Sequence, residues 1–540
     1  MTGFFSPLDS PAARRSWLAD LCGSIPKAAT KNDLLDQIDG ALFVSAPQGD
    51  TGALEALGKR YRGQVDKAGD LHDRVHKVAR KGLPEVWVGD TSVLASDGVA
   101  AAARAATKMS EAFEGGAKAL HALADALGPA KKQDADGRAK LVQAKQQLGP
   151  RDGFFDLGRL IETDEEKAER QKVLAAARAV ATDGVALMHE AAVAADDAVR
   201  AAARDLNKWA AEARAGKMHT GQLSAVDRLM LADTSGKAGA ADYNEILTAT
   251  ELERSGRAMD GLPPADRSRM EHLLADAKSP QEKAYLMKAL AAGHKVDDIE
   301  AFGGKIHGKD PAWLQRHLSP IVTQGDSLRD EGTDPGNGAN LNTDLQSFDG
   351  QQWAQGGDGR EGTCVASSTV TARAMVDPVF ALGLTGGPSG QEDDPVAFRM
   401  RLVDEQHRVH QEGHGGKNWD GMDQKGKTEV LNKEVSPETG GSYELQEVRD
   451  ADSRRNVLPE IEKAVAEGKP VPIGVEGYEA DGTRHGHAMM IIGQEGDKLQ
   501  IYNPWGQTTW VSEDDFVNGG MAKASDSRLP DAYAVHLPQD

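Results

Sequence analysis

From Leu54 onward the apolar residues Leu57, Tyr61, Val65, Ala68, Leu71, Val75 and Val78 recur every three or four positions, with polar residues between them. That spacing marks one face of a long helix. After "LPEVWVGDTS" a second stripe runs through Val99, Ala102, Ala106, Met109, Phe113, Leu120, Leu123 and Leu127. A third runs through Met188, Ala192, Ala195, Val199, Ala202, Leu206, Trp209 and Ala213. Alanine on such seams lets helix axes approach closely, so residues 1–215 are expected to hold an elongated antiparallel helical bundle. Over residues 216–322 the pattern breaks into short helical pieces at "LPPADRS", "AKSPQEK" and "GKDPAW", with Ser or Asp placed where helix starts need them. That segment reads as a compact helical spacer.

Residues 323–345, rich in Gly, Asp and Asn, show no packing face and read as a linker. From residue 346 to residue 540 the period changes. "VPIGV", "HAMMIIG", "LQIYNP", "TTWVS" and "AYAVHLP" alternate as strands do, while "VLPEIEKAVAEG" and the segment opening at Cys364 read as helices. The expected architecture is multidomain: an all-α bundle and helical spacer followed by an α+β domain.

Composition narrows the function classes. The 540 residues carry a formal net charge of -21, most of it in the C-terminal part. An acidic chain without a basic stripe is not expected to bind nucleic acid. No apolar run is long enough for a membrane span, and the first residues have charges but no apolar signal-peptide core, so export would need a signal-independent route. Cys22 and Cys364 are the only cysteines, too few for a disulfide framework. Cys22 has no motif around it and reads as packing.

The candidate chemistry lies in "GHAMMIIGQEGDKLQIYNPWG", residues 486–506. If "QEG" is a three-residue hairpin loop, Gly493 pairs with Asp497 and His487 faces Asn503 directly. Their even separation puts both side chains on one sheet face, where an asparagine amide can orient an imidazole. An oriented imidazole is the general base of a triad. Cys364, in "REGTCVASSTVTARAMV", would open a helix of small residues, where unpaired N–H groups and the helix dipole favour a thiolate. His485 reads as a rim residue. His407, His410 and His414 lack the cysteine or carboxylate partners of a metal site and read as a solvated helix end. Neither a metal nor a cofactor is expected.

"GTC" opening a small-residue helix, "GHAMMIIG" and "NPWG", in that order, resemble the papain-like cysteine peptidases, with "GHA" and "NPWG" closest to the calpain branch. The likeness covers the C-terminal domain. It implies Cys364 as nucleophile, His487 as base, Asn503 as the orienting amide and Trp505 as the indole that shields the histidine–asparagine hydrogen bond. The family's oxyanion glutamine precedes the cysteine by six residues. Asp358 stands there in this chain, and Gln355 is the nearest candidate, with Gln352 as an alternative. The implied activity is hydrolysis of peptide bonds in a protein or peptide substrate. The same fold also supports deamidation or transglutamination, and a non-enzymatic interaction protein with an inactive thiol domain is the reading from another class. The acidic stretches "QEDDP" and "SEDDF" would favour basic substrates if they flank the cleft.

The tripeptide Trp87–Gly89 between long helices resembles type VII-secreted W-x-G proteins and, with the enzyme domain, the layout of a bacterial polymorphic toxin. The resemblance implies secretion machinery and a cognate immunity protein as partners. The family's Tyr-x-x-x-acid export signal is missing after the hairpin, and an ordinary helical coil fits the same pattern.

Overall fold

The computed structural model describes residues 11–78, 81, 90–152, 163–215, 245–324 and 326–539. Trp87–Gly89 lies outside the described residues. The chain forms two compact units, one of residues 1–63 and 114–206, the other of residues 64–113 and 207–540.

In the first unit the long stripes are helices, Thr51–Lys77, Asp90–Leu148 and Asp164–Ala215, each of which also extends into the second unit. Leu141, Ala144, Leu174, Ala177, Ala181, Val185 and Met188 bury a seam that the short helices Pro11–Ser24 and Lys31–Phe43 close with Leu18, Leu34, Leu35 and Ile38. The closest approach is made by glycine. A Cβ on Gly137 would lie 2.6 Å from the Gly184 carbonyl oxygen, and one on Gly184 would lie 2.9 Å from that of Gly137. Cys22 packs at the edge of this core, and burial pushes its thiol up.

The second unit contains the helices Ala249–Gly261, Pro264–Asp276, Pro280–Ala291, Val296–Ile306 and Pro311–Leu318. Ser279 and Asp310 cap their helices just before a proline, accepting from the N–H groups of Glu282 and Trp313. These helices were expected to form a spacer of their own. They share a core with Leu382 of the helix Pro378–Thr385, and His294 meets Asp377 at 2.8 Å.

A seven-stranded sheet follows. Its strands are β1 (Thr343–Leu345), β2 (Ser442–Glu447), β3 (Val471–Tyr478), β4 (Arg484–Glu495), β5 (Lys498–Asn503), β6 (Gln507–Ser512) and β7 (Asp531–Gln539). They lie in the order β1-β6-β5-β4-β3-β7-β2, every neighbouring pair antiparallel. The helices α1 (Cys364–Val376), α2 (Pro395–Glu412) and α3 (Gln424–Glu434) enclose a second core with Phe348, Trp353 and Ala488 of β4. The helix α4 (Ala451–Ala466) covers the sheet through Val457, Leu458 and Ile461. Helical N-terminal parts thus precede an antiparallel α+β part.

The segment 323–345, expected as a linker, is built into the sheet edge instead. β1 pairs with β6 from Thr343↔Thr509 to Leu345↔Gln507. Asn340 Nδ2 donates to the Trp510 carbonyl at 2.7 Å, and Gln500 Nε2 donates to Thr323 Oγ1 at 2.7 Å. Asn and Asp side chains replace the apolar face that the pattern lacks.

Candidate active site

Cys364 stands at the first position of α1, preceded by Thr363 with φ -91° and ψ 19°. The backbone N–H groups there have no intrahelical acceptor, and the helix dipole favours a negative charge. Gly362 makes this geometry accessible. A Cβ on it would meet the Trp419 carbonyl at 2.5 Å and the Gly421 nitrogen at 2.7 Å, so the loop entering α1 lies directly against residues 419–421.

β4 carries His487 beneath the same helix start. The expected register is corrected here. The hairpin closes at Glu495↔Lys498, and the pairing shifts between Ile491 and Gly493, leaving Met490 opposite Tyr502. Continuing that register places Asn503 opposite Met489, so His487 and Asn503 are diagonal neighbours rather than a direct pair. A shift of two residues keeps both side chains on one face. His487 Nε2 meets Asn503 Oδ1 at 2.9 Å.

The amide is held from both ends. Asn503 Nδ2 donates to the Ala524 carbonyl at 2.9 Å, and Oδ1 also accepts from the Trp505 N–H at 3.1 Å. With Nδ2 committed to a carbonyl, the oxygen must face the ring, and His487 Nε2 must be the protonated nitrogen. That leaves Nδ1 to face the sulfur, and His487 is the group that does most to lower the Cys364 thiol. Trp505 stacks on the imidazole with ring centres 4.9 Å apart and planes at 28°.

The electrostatics follow from this chain of contacts. Burial disfavours the Cys364 thiolate. The His487 hydrogen bond and charge, together with the backbone N–H of Ala488, outweigh it and hold the thiol below its ordinary 9.0. Burial likewise disfavours the imidazolium, but Cys364, Asn503 and the charge of Asp526 hold His487 above 6.5. The two shifts favour a thiolate–imidazolium pair. Ala488 and Asp526 were missed from the sequence: a backbone N–H has no side-chain signature, and Asp526 belongs to a turn in which it binds Arg528.

Gln355 is buried at the same place, its backbone N–H donating to the Pro504 carbonyl at 2.7 Å. Its Nε2 donates to the Glu361 carbonyl at 2.7 Å, in the loop leading to Cys364. Gln352 is exposed on a neighbouring short strand. Next to Trp505 a cleft of about 550 Å³ is lined by Leu345, Gln352, Ala354 and Arg399.

Other expectations resolve differently. His485 pairs with Glu479 at 2.7 Å on the rim. Of the three histidines expected at a solvated helix end, His414 is exposed, whereas His407 stacks on Trp419 with ring centres 3.5 Å apart and His410 is fully buried beside the same indole. Trp419 and Asn418 adopt left-handed backbone, φ 60° and 57°, to make this packing. Among the described residues no cluster of His, Cys, Asp or Glu could hold a metal ion, and no helix is long and apolar enough to cross a membrane. The acidic stretches are engaged locally. Asp394 and Ser512 cap helices, Glu392 binds Arg401, Asp393 binds His317, and Asp515 binds Lys523. Neither stretch lines the cleft beside Trp505.

Comparisons with protein-family models, with curated proteins and with solved structures found no match to this chain.

Proposed function

We propose that the C-terminal domain is a papain-like cysteine peptidase. The observation that carries this reading is the hydrogen bond between His487 and Asn503, with the amide oriented by Ala524 and Trp505 and the imidazole lowering the Cys364 thiol. The Cys364 thiolate attacks the scissile carbonyl carbon, and the carbonyl electron pair moves onto oxygen. The N–H of Cys364 at the start of α1 faces that oxyanion, with Gln355 as the second donor. His487 gives its proton to the departing amine, leaving a thioester. Water, deprotonated by His487, then releases the acid and restores the thiol. Asn503 keeps the imidazole in one tautomer and plane throughout. The cleft beside Trp505 offers room for the leaving-group side of a peptide.

The test is cleavage of a peptide library by wild-type and Cys364→Ala protein, with product masses separating hydrolysis from amide transfer. Cleavage that persists in Cys364→Ala would sink the reading. We further propose that the helical N-terminal region serves delivery or docking, on the strength of the W-x-G tripeptide between long helical stripes. Intact protein found only in the cytosol of cells with an active type VII apparatus would count against it.

A further inference from the structure

The helix α3 carries a lysine inside the protein. Lys427 is 2% exposed, and its Nζ has no hydrogen-bond partner. Val430 and Leu431, three and four residues on, are buried on the same helix face. Val430 belongs to the core of Val365 and Ala366 from α1, against which Cys364 packs. The lysine stem therefore runs along the face turned toward the Cys364 helix, and its charge is among the causes that lower the Cys364 thiol.

The other groups around it do not neutralise it. His536 of β7 meets Thr428 Oγ1 at 3.0 Å, and Gln424 Nε2 donates to the Tyr533 hydroxyl at 2.6 Å. Burial and the Lys427 charge push His536 down to about 2, so it is neutral. Glu429 faces His414 and Lys425, while Glu434 binds Arg373 and Arg408. An ammonium buried without a carboxylate is destabilising, and replacing it with an apolar side chain would stabilise the fold. Its burial therefore calls for a role other than packing.

We propose that Lys427 is an electrostatic positioning residue for Cys364, supplying a second positive charge beside the His487 imidazolium when the thiol ionises. The inference rests on Cys364 being the nucleophile of the reaction proposed above. The thiol proton goes to His487, and Lys427 keeps its own. Burial pushes the amine down to about 7, so its help is present below neutral pH and fades above it. Lys427 thereby extends thiolate formation to the acid side.

The experiment measures the pH dependence of Cys364 alkylation by iodoacetamide in a Cys22→Ser background. At pH ~6, Lys427→Met and Lys427→Gln should alkylate about three- to tenfold more slowly, since thiolate fraction changes tenfold per pKa unit. Above pH ~8 they should match the parent protein, and Lys427→Arg should keep the parent rate at pH ~6. Lys427→Met should melt no lower than the parent, which a purely structural role would not give. Superimposable alkylation profiles for the folded neutral variants would overturn the proposal. Should neither variant fold, nitrogen NMR of Lys427 in the parent protein decides. Its titration should move to lower pH when Cys364 is blocked by a neutral methylthio group, and an unmoved midpoint would overturn the proposal. Failure of the peptidase reading would show elsewhere, as absent peptide cleavage, and leaves the alkylation comparison intact.

Discussion

Replacing Asn503 by alanine removes the hydrogen bonds to His487, Trp505 and Ala524 together. At about 0.5–1.5 kcal/mol each, the fold should lose about 1.5–4.5 kcal/mol of stability. The catalytic loss comes from one of those bonds, the one that stabilises the imidazolium. A hydrogen bond to a charged group is worth about 1.5–3 kcal/mol, and each 1.36 kcal/mol is tenfold in rate, so kcat/KM should fall about tenfold to 150-fold. His487→Ala removes the base itself and should cost about 10²- to 10⁴-fold or more. In the His487→Ala background Asn503 has nothing left to orient, so the double variant should be little less active than His487→Ala. The assay is kcat/KM on one fluorogenic peptide for the four proteins, at a temperature where circular dichroism shows all of them folded. Losses that multiply would mean that the two residues act independently, and the chain of contacts would not be the working unit. Abolished activity in His485→Ala with an intact His487→Ala would assign the base to the rim histidine instead.

Other outcomes follow from the same contacts. The pH–activity profile should be a bell: its acid limb, protonation of the Cys364 thiolate, lies below the ordinary thiol value of 9.0, and its alkaline limb, loss of the His487 proton, lies above 6.5. Asp526→Asn removes a charge that favours the imidazolium, so the alkaline limb should move to lower pH while the acid limb is not lowered. Gln355→Ala should reduce kcat by about 10²-fold with little change in KM if its amide faces the oxyanion, and should reduce both limbs of the profile equally. In the helical unit, Gly137→Ala forces a Cβ against the Gly184 carbonyl and should cost about 1–3 kcal/mol in urea unfolding. Gly63→Ala meets nothing within 4 Å and should stabilise its helix by about 0.5–1 kcal/mol.

The long helices were legible because their seams repeat over many turns, and the strands of the sheet because their apolar runs are bounded by turn residues. The partnership of His487 with Asn503 was legible for a simpler reason: an even separation keeps two residues on one face whatever the register. The register itself was not, because a bulge depends on packing around it. At Gly493 a Cβ would lie 2.9 Å from Gln500 Oε1, a close approach that no periodicity announces. The strand β1 was hidden because Asn340, Asp344 and Gln346 hold it through side-chain hydrogen bonds rather than an apolar stripe. His407 and His410 looked solvated in a glycine-rich context, yet Trp419 folds back over them through left-handed backbone. Lys427 gave no signal, since a lysine in a short amphipathic helix reads as surface.

The most direct measurement labels the folded, full-length protein with a thiol-directed epoxide and reads the modified cysteine by peptide mass mapping, beside peptide cleavage by the same sample. The thiolate–imidazolium pair predicts that Cys364 is labelled faster in the folded protein than in the unfolded chain, that labelling and cleavage are lost in parallel in His487→Ala, and that Cys22 stays unmodified. Labelling of Cys364 only after unfolding, with cleavage unaffected by Cys364→Ala, would contradict the account.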